Sequence, residues 1–258
     1  MSGTVKTQED IAALREGGAR LAHIVSTVAR AVAPGVSTEV LNTLAEKLIQ
    51  EGGDTPAFLG YTPRGAKRPF PASICISINE EVVHGIPNES PRVILEGDIV
   101  SLDCGIVHRG LISDHAISVG AGSIDSHAEA LIQKTNEALM EGIRAARAGA
   151  HIGDIGAAIE AVGVRHGYGV VYELGGHGVG YKVHEEPYVP NVGDKGNGET
   201  LLSGMVLAIE PMFTEGSSRV KLMPDGYTFV TKDQSRSAHF EHTILVTEDE
   251  PEILTVNP

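Results

Sequence analysis

The chain has 258 residues, of which 41% are hydrophobic and 21% are charged, and its formal net charge is −14. This composition supplies enough apolar residues for a core and excludes intrinsic disorder as the main state. The excess of acidic residues disfavours DNA and anionic membranes as partners. No apolar run approaches the roughly 20 residues that a transmembrane helix needs. We therefore expect a globular protein that binds neither DNA nor a membrane.

The cysteines and the first residues indicate the compartment. Cys75 and Cys104 are the only cysteines, which is too few for a disulfide framework. Residues 1–10 are polar and lack the features of a secretory signal. We therefore expect a cytoplasmic protein. A basic cluster at Arg64, Lys67 and Arg68 is more typical of a solvated loop than of a partner site.

The predicted elements alternate between helices and strands. A first helix covers residues 7–32, where Thr7 and Asp10 resemble a capping box, and Pro34 and Gly35 end it. A second helix, capped by Ser37 or Thr38, runs to about residue 50. Strands follow at residues 73–78, 99–107 and 112–119, then helices at 125–147 and 153–162. Further strands are predicted at residues 205–209, 227–231 and 239–246.

A weak internal repeat recurs at an offset of 114 residues, and each copy follows a long helix and opens another. Gly35 matches Gly149, Leu41 matches Ile155 and Glu46 matches Glu160. Such a repeat favours two αβ halves related by a pseudo-twofold axis, with a site between them. No Pro-rich or Ser-rich linker divides the chain. We predict an α+β fold with one domain over residues 1–258, in which segments 1–6 and 249–258 are peripheral.

Residues 101–114 read as a β-hairpin that carries two aspartates. A turn at residues 108–109 would set Asp103 directly opposite Asp114, whereas a turn at residues 109–110 would place them on a diagonal of one face. Two carboxylates so placed repel each other unless a cation lies between them. The alternative is that one of them faces solvent or pairs with Arg109.

Other ionisable residues lie in apolar or glycine-rich surroundings. His177 and His184 occupy a Gly-rich stretch that matches neither an HExxH zinc helix nor a dinucleotide-binding fingerprint. Glu210 and Glu241 lie in apolar strands, where a charge is costly unless it is paired, protonated or bound to a metal. Together with the two aspartates they offer four carboxylates and one imidazole, a set that suits two divalent cations such as Mn, Fe, Co or Zn.

Six ordered motifs resemble the type I methionine aminopeptidases from about residue 7 to residue 247. They are Ile76-Ser-Ile-Asn-Glu-Glu-Val-Val-His84-Gly-Ile-Pro87, Asp103 with Asp114, Gly176-His177-Gly178, His184-Glu-Glu-Pro187, Ile209-Glu-Pro-Met212 and Glu241-His-Thr243. Prolidases and proline-specific aminopeptidases share the five metal-ligand positions. The segment that contains His84 favours the methionine enzymes.

The resemblance implies a pita-bread fold that binds two divalent ions, with Co, Mn, Fe, Zn and Ni all acceptable. It implies that Asp114, His177, Glu210 and Glu241 hold the first ion, and that Asp103, Asp114 and Glu241 hold the second. The implied activity is removal of the initiator methionine from nascent proteins with a small second residue, by a hydroxide that both ions hold.

The resemblance also assigns roles to residues that contact the substrate. His184 would contact the scissile carbonyl, His84 the scissile amide, and Glu210 would carry a proton to the leaving amine. Tyr61, Cys75, Tyr227 and Phe58 would form the pocket for the methionine side chain, with Phe70 nearby. The sequence departs from the family pattern in three places. The loop of residues 62–71 is longer than usual, Val183 replaces an aromatic residue before His184, and Tyr227 stands where the family commonly has a tryptophan.

The partners implied are the N-termini of nascent polypeptides and, by family analogy, the ribosome, with a monomer as the expected state. Two other functions fit the same residues. One is a peptidase of the Xaa-Pro type on the same fold. The other is a pita-bread protein that binds partners without catalysis, which the complete set of five ligands disfavours.

Overall fold

The computed structural model of the protein describes residues 3–63 and 65–257, which form four helices and fifteen strands. The helices are α1 (Gln8–Arg30), α2 (Thr38–Glu51), α3 (Ser126–Ala145) and α4 (Ile152–His166). The strands are β1 (Thr55–Pro56), β2 (Cys75–Ile78), β3 (Glu81–Val83), β4 (Ile99–His108), β5 (Leu111–Gly120), β6 (Gly169–Val170), β7 (Gly175–Gly178), β8 (Glu185–Pro190), β9 (Val206–Ile209), β10 (Met212–Thr214), β11 (Val220–Leu222), β12 (Phe229–Thr231), β13 (Ser237–His239), β14 (Glu241–Leu245) and β15 (Glu252–Ile253). In this part of the chain no helix is both long and apolar enough to cross a membrane.

The helices form two consecutive pairs, as the internal repeat predicts. The capping box of Thr7 and Asp10 opens α1, and Ser37 caps α2. Gly35 and Gly149 occupy corresponding turns before the second helix of each pair, with φ angles of +91° and +84°. A residue with a Cβ is strained at such angles, so glycine suits both turns. The four predicted helices are confirmed, and α4 continues four residues beyond its predicted end.

The main sheet is antiparallel and contains nine of the strands in the described ranges. Its order is β1-β4-β5-β14-β9-β7-β8, with β2 also paired to β4 and β15 to β14. Two small three-stranded sheets, β13-β10-β6 and β11-β12-β3, lie beside it. The predicted β4–β5 hairpin is present and turns at Arg109 and Gly110, since His108 pairs with Leu111. This is the second of the two turns considered for it.

The prediction of one strand over residues 239–246 is wrong, because the chain leaves one sheet and enters another at Phe240. β13 pairs with β10 in a small sheet, whereas β14 pairs with β9 in the main sheet. The partner strand breaks at the same level, between β9 and β10, where Pro211 supplies no backbone N–H for a ladder. Each break therefore leaves one glutamate, Glu210 or Glu241, at the junction of two sheets.

Apolar clusters join each helix pair to its part of the main sheet. One cluster contains Leu21, Val25 and Leu41 of α1 and α2, together with residues of β2 and β4. Another contains Leu139 and Ile155 of α3 and α4, together with residues of β9 and β14. Each helix pair therefore covers and supports its own part of the main sheet.

Both terminal segments contact the main sheet. Val5 forms a bridge with Met205, and β15 pairs with β14. The prediction of a single domain over residues 1–258 stays a prediction, and its ends at residues 1, 2 and 258 lie outside the described residues. Arg64 of the basic cluster also lies outside them. Arg68 of that cluster forms an ion pair with Glu89.

Candidate metal centre and active site

Five consecutive strands of the main sheet each supply one of the predicted metal ligands. Asp103 lies on β4, Asp114 on β5, Glu241 on β14 and His177 on β7, and Glu210 directly follows β9. These strands are neighbours in the order β4-β5-β14-β9-β7 although they are far apart in the chain. The fold therefore brings together residues separated by up to 138 positions, from Asp103 to Glu241.

The strand register sets the carboxylates side by side. Asp103 and Glu241 both pair with Ala116, one from each side. Asp114 pairs with Gly105, two positions from Asp103, which is the diagonal arrangement. The small side chain of Ala116 leaves room between the flanking carboxylates.

Hydrogen bonds between the Thr243 side chain and the Asp114 backbone help to hold β5 and β14 in this register. The Asp114 amide donates to Thr243 Oγ1 over 2.9 Å, and the Thr243 hydroxyl donates to the Asp114 carbonyl over 2.8 Å. On the other side, His177 pairs with Ala208 of β9. Gly176 lies so close to the Ala208 carbonyl that a Cβ there would be 2.1 Å from its oxygen. Glycine is therefore required beside His177 for β7 to approach β9.

Three of the five side chains meet at one point. Ligand atoms of Asp114, His177 and Glu241 all lie within 4.8 Å of one another. Glu210 Oε1 lies 3.6 Å from His177 Nε2, and Asp103 lines the same pocket. All five predicted ligands thus face one cavity.

In the described part of the chain, the carboxylates of this cluster have no lysine or arginine partner. Among residues 3–63 and 65–257, no Lys or Arg forms an ion pair with any of the four. Burial raises the pKa of Asp103 to about 6 and that of Glu210 to about 8. Burial, and then the neighbouring carboxylates, raise the pKa values of Asp114 and Glu241 well above the usual range. Removal of these groups from water disfavours their ionised forms unless a cation compensates them.

Two carboxylate oxygens of the cluster have no hydrogen-bond partner in the described structure and indicate the kind of ligand that the cluster can bind. Asp103 Oδ1 and Glu241 Oε1 are buried and have no hydrogen-bond partner in the described structure. Buried polar atoms are nearly always satisfied, so such orphans call for a ligand. His177 is held neutral, because burial and the adjacent His184 lower its pKa to about 3, and a neutral imidazole is the form that binds metal. The donor set of oxygens and one imidazole therefore fits divalent metal.

Two further histidines line the cavity. The hydroxyl of Tyr61 lies 2.9 Å from His184 Nδ1, and the rings of His184 and His177 meet edge to face at 4.4 Å. His84 follows β3 and has a φ angle of +60°, which is uncommon outside glycine and asparagine. Its ring is 6.1 Å from that of Phe229. Both predicted substrate-contacting histidines therefore line the cavity of the metal-ligand cluster from outside the strands of the main sheet.

An apolar pocket adjoins the ligand cluster. Its walls include Phe58, Tyr61, Phe70, Cys75 and Tyr227, and the whole cavity measures about 590 Å³ including its open mouth. The rings of Phe70 and Tyr227 pack edge to face at 5.1 Å. Burial and the nearby aspartates raise the pKa of the Cys75 thiol well above its usual range, so this residue is a wall rather than a nucleophile.

His239 is a neighbour of the cluster that the sequence analysis did not single out. It is 1% exposed, its Nε2 lies 3.5 Å from Glu210 Oε2, and neither ring nitrogen has a hydrogen-bond partner in the described structure. A histidine two positions before a buried strand glutamate was a visible signal. The break at Phe240, which turns His239 toward Glu210, was not visible.

Comparison with known proteins agrees with this geometry. The model of metallopeptidase family M24 matches residues 12–248. The chain belongs to metallopeptidase family M24. A methionine aminopeptidase of Aquifex aeolicus is 45% identical over 251 residues, which cover 96% of this chain and 97% of that protein. Methionine aminopeptidase 1 of Mycobacterium tuberculosis is 44% identical over 253 residues, which cover 96% of this chain and 92% of that protein.

Solved structures show the same fold. The crystal structure of a methionine aminopeptidase from Thermotoga maritima aligns with a TM-score of 0.93 at 40% identity, covering 98% of this chain and 99% of that one. A prolidase from Pyrococcus horikoshii aligns with a TM-score of 0.74 at 21% identity and covers 98% of this chain and 64% of that one. The second likeness shows the fold alone. The predicted α+β pita-bread fold and the family resemblance are confirmed.

Proposed function

We propose that this member of the M24 family is a metal-dependent methionine aminopeptidase that removes the initiator methionine from nascent proteins when the second residue is small. The observation that carries the proposal is a cluster of four carboxylates and one imidazole, all of them buried except the partly buried Glu210, beside an apolar pocket. The names of the similar proteins support it.

Two divalent ions would be held by the five ligands of the cluster. Asp114, His177, Glu210 and Glu241 would hold one, and Asp103, Asp114 and Glu241 the other. Four negative charges balance two divalent cations, which supports this number. When bound, such ions lower the pKa of water and polarise a carbonyl. Co, Mn, Fe, Zn and Ni all accept these donors, so the donors do not select among them.

The residues of the chain would orient the substrate and move the proton. The hydrogen bond between Tyr61 and His184 Nδ1 leaves Nε2 as the nitrogen that meets the scissile carbonyl. His84, which follows β3, would contact the scissile amide. Burial raises the pKa of Glu210 to about 8, which makes its ionised carboxylate a stronger base. With bound cations favouring that ionised form, the carboxylate would accept a proton from the attacking water and deliver it to the leaving amine.

The apolar pocket makes a prediction about substrate affinity. Tyr227→Ala removes the ring that packs on Phe70, and we expect KM for methionine peptides to rise about tenfold or more, because a lost apolar contact costs about 1–3 kcal/mol. Tyr227→Phe keeps the ring and removes only the hydroxyl that donates to the Arg68 carbonyl. It is therefore the matched control, with KM close to wild type. Equal KM values in both variants and the wild type would contradict the pocket assignment.

A substrate panel tests the proposed function. We expect the metal-loaded protein to release methionine from Met-Gly-Met-Met and much more slowly from a peptide with a bulky second residue. An Xaa-Pro dipeptide should remain intact. Cleavage of the Xaa-Pro peptide alone would move the protein to the proline-specific branch. Metal binding without any cleavage would favour a binding protein.

We further propose that the protein acts in the cytoplasm on the N-termini of new chains. Cys75 and Cys104 are both buried and unpaired, which is typical of a reducing compartment. Association with the ribosome and a monomeric state remain predictions from the family.

A further inference from the structure

A buried ion pair joins the N-terminal segment to the turn of residues 180–185, which contains His184. Lys6 Nζ lies 2.6 Å from Glu185 Oε2, and the side chains are 0% and 8% exposed. Lysine is almost never fully buried unless it is paired. Breaking such a pair leaves one charge buried without compensation and is strongly destabilising. The position of Lys6 therefore depends on Glu185, and that of Glu185 on Lys6.

The Glu185 carboxylate closes the turn of residues 180–185. Its second oxygen accepts hydrogen bonds from the backbone amides of Tyr181 and Lys182. Lys6 also contacts a side chain of the same turn, because its Nζ lies over the Tyr181 ring, 4.3 Å from the ring centroid. A Cβ at Gly180 would come within 2.5 Å of Lys6 Cε. The lysine side chain therefore packs closely against the turn.

The segment that carries Lys6 is itself fixed. The Lys6 amide donates to the Gly204 carbonyl over 2.8 Å, and Val5 forms a bridge with Met205, just before β9. The hydroxyl of Tyr181 donates to Asp10 Oδ2 over 2.6 Å, which ties the turn to α1. These contacts connect the turn to the strand that leads to Glu210.

We propose that Lys6 is a positioning residue for catalysis: through Glu185 it holds the turn that aims His184 at the substrate. His184 directly precedes Glu185, and its ring is placed between Tyr61 and His177. Without the Lys6 charge, the buried Glu185 carboxylate would be uncompensated and would shift toward solvent. The turn of residues 180–185 would shift with it. The role of His184 rests on the function proposed above.

Kinetics in two backgrounds test this role. We expect Lys6→Met to lower kcat about a hundredfold, the loss that a displacement of about 1 Å can cause, while KM and metal content stay near wild type. Lys6→Arg keeps the charge and should recover most of kcat. In a His184→Gln background, Lys6→Met should cause little further loss. An equal loss in both backgrounds, or an unchanged kcat, would overturn the proposal.

Arg15→Met is the matched control, because Arg15 also pairs with a glutamate, Glu252, over 2.7 Å, but at the surface. We expect it to leave kcat unchanged. If Lys6→Met does not fold, the double variant Lys6→Met/Glu185→Met removes both charges together, and kcat should remain low because the turn is still unpinned. A double variant with wild-type kcat would overturn the proposal.

A spectroscopic readout separates this proposal from the proposed function. The NMR signals of the His184 ring, assigned with His184→Gln, should shift in Lys6→Met and stay in place in Arg15→Met. If the wild type released no methionine, the proposed function would be wrong. The NMR signals would still show whether Lys6 positions the His184 ring. Unchanged His184 signals in Lys6→Met would overturn that positioning role.

Discussion

Asp114→Asn is expected to reduce methionine release on the order of a thousandfold or more. Asp114 lies on β5, between the strands that carry Asp103 and Glu241, and its ligand atom is within 4.8 Å of those of His177 and Glu241. Metal polarisation and activation of water contribute several kcal/mol to such a reaction, and each 1.4 kcal/mol is about a tenfold change in rate. The variant should also bind less metal, as measured by elemental analysis after dialysis.

The substitution Asp114→Asn keeps the shape of the side chain and removes its negative charge. A loss of activity would therefore show that the charge is needed. Asp249 is exposed near the end of the main sheet, and Asp249→Asn makes the same chemical change away from the site. We expect this control to keep wild-type rates and metal content. Full activity and full metal content in Asp114→Asn would contradict the assignment of Asp114 as a ligand.

In metal-depleted protein, the melting temperature is expected to fall as the pH rises from 6.5 to 8. The carboxyls with raised pKa values, among them Glu210 at about 8, hold protons in the folded state that the unfolded chain has released. The folded state then binds more protons, so its stability decreases as the pH increases. Buried histidines with lowered pKa values, such as His177, oppose this near and below the unfolded histidine pKa of about 6.5, and their opposing effect fades as the pH rises above 7.

The size of this effect follows from the same groups. Over this range Glu210 alone contributes about 2 kcal/mol, and Asp114 and Glu241 change stability in the same direction. A loss of about 2 kcal/mol lowers the melting temperature of a domain of this size by roughly 5 °C. Differential scanning calorimetry at several pH values measures it.

Saturation with Mn²⁺ is the control for the pH experiment. Bound cations compensate the carboxylates, so the decrease between pH 6.5 and 8 should become much smaller. The Glu210→Gln variant should also show a smaller decrease without metal. A melting temperature that rises with pH in metal-depleted protein would contradict the burial of these carboxyls.

Local patterns were enough to predict much of the fold. The capping box at Thr7 and Asp10, the apolar periodicity of the helices and the hairpin of β4 and β5 all depend on residues close together in the chain. The choice between the two hairpin turns depended on register, which the sequence left open. The division of residues 239–246 at Phe240 depended on two sheets meeting there, and no local pattern shows that.

In the candidate site, too, some features follow from local sequence and others depend on long-range strand pairing. The sequence marked Asp103, Glu210 and Glu241 because acids in apolar strands need compensation. It could not show that their strands are neighbours in the sheet, since β5 pairs with β14 and β9 with β7 across long separations. The approach of His239 to Glu210 and the bond between Tyr61 and His184 also depend on this long-range pairing.

The most direct test of the account is methionine release from Met-Gly-Met-Met by metal-depleted protein titrated with Mn²⁺, Fe²⁺ or Co²⁺, for the wild type and Asp103→Ala. The account predicts no release without metal, restored release in the wild type, and little or none in the variant at the same metal concentrations. Release that is independent of added metal, or equal in Asp103→Ala, would contradict a metal centre built on the five ligands.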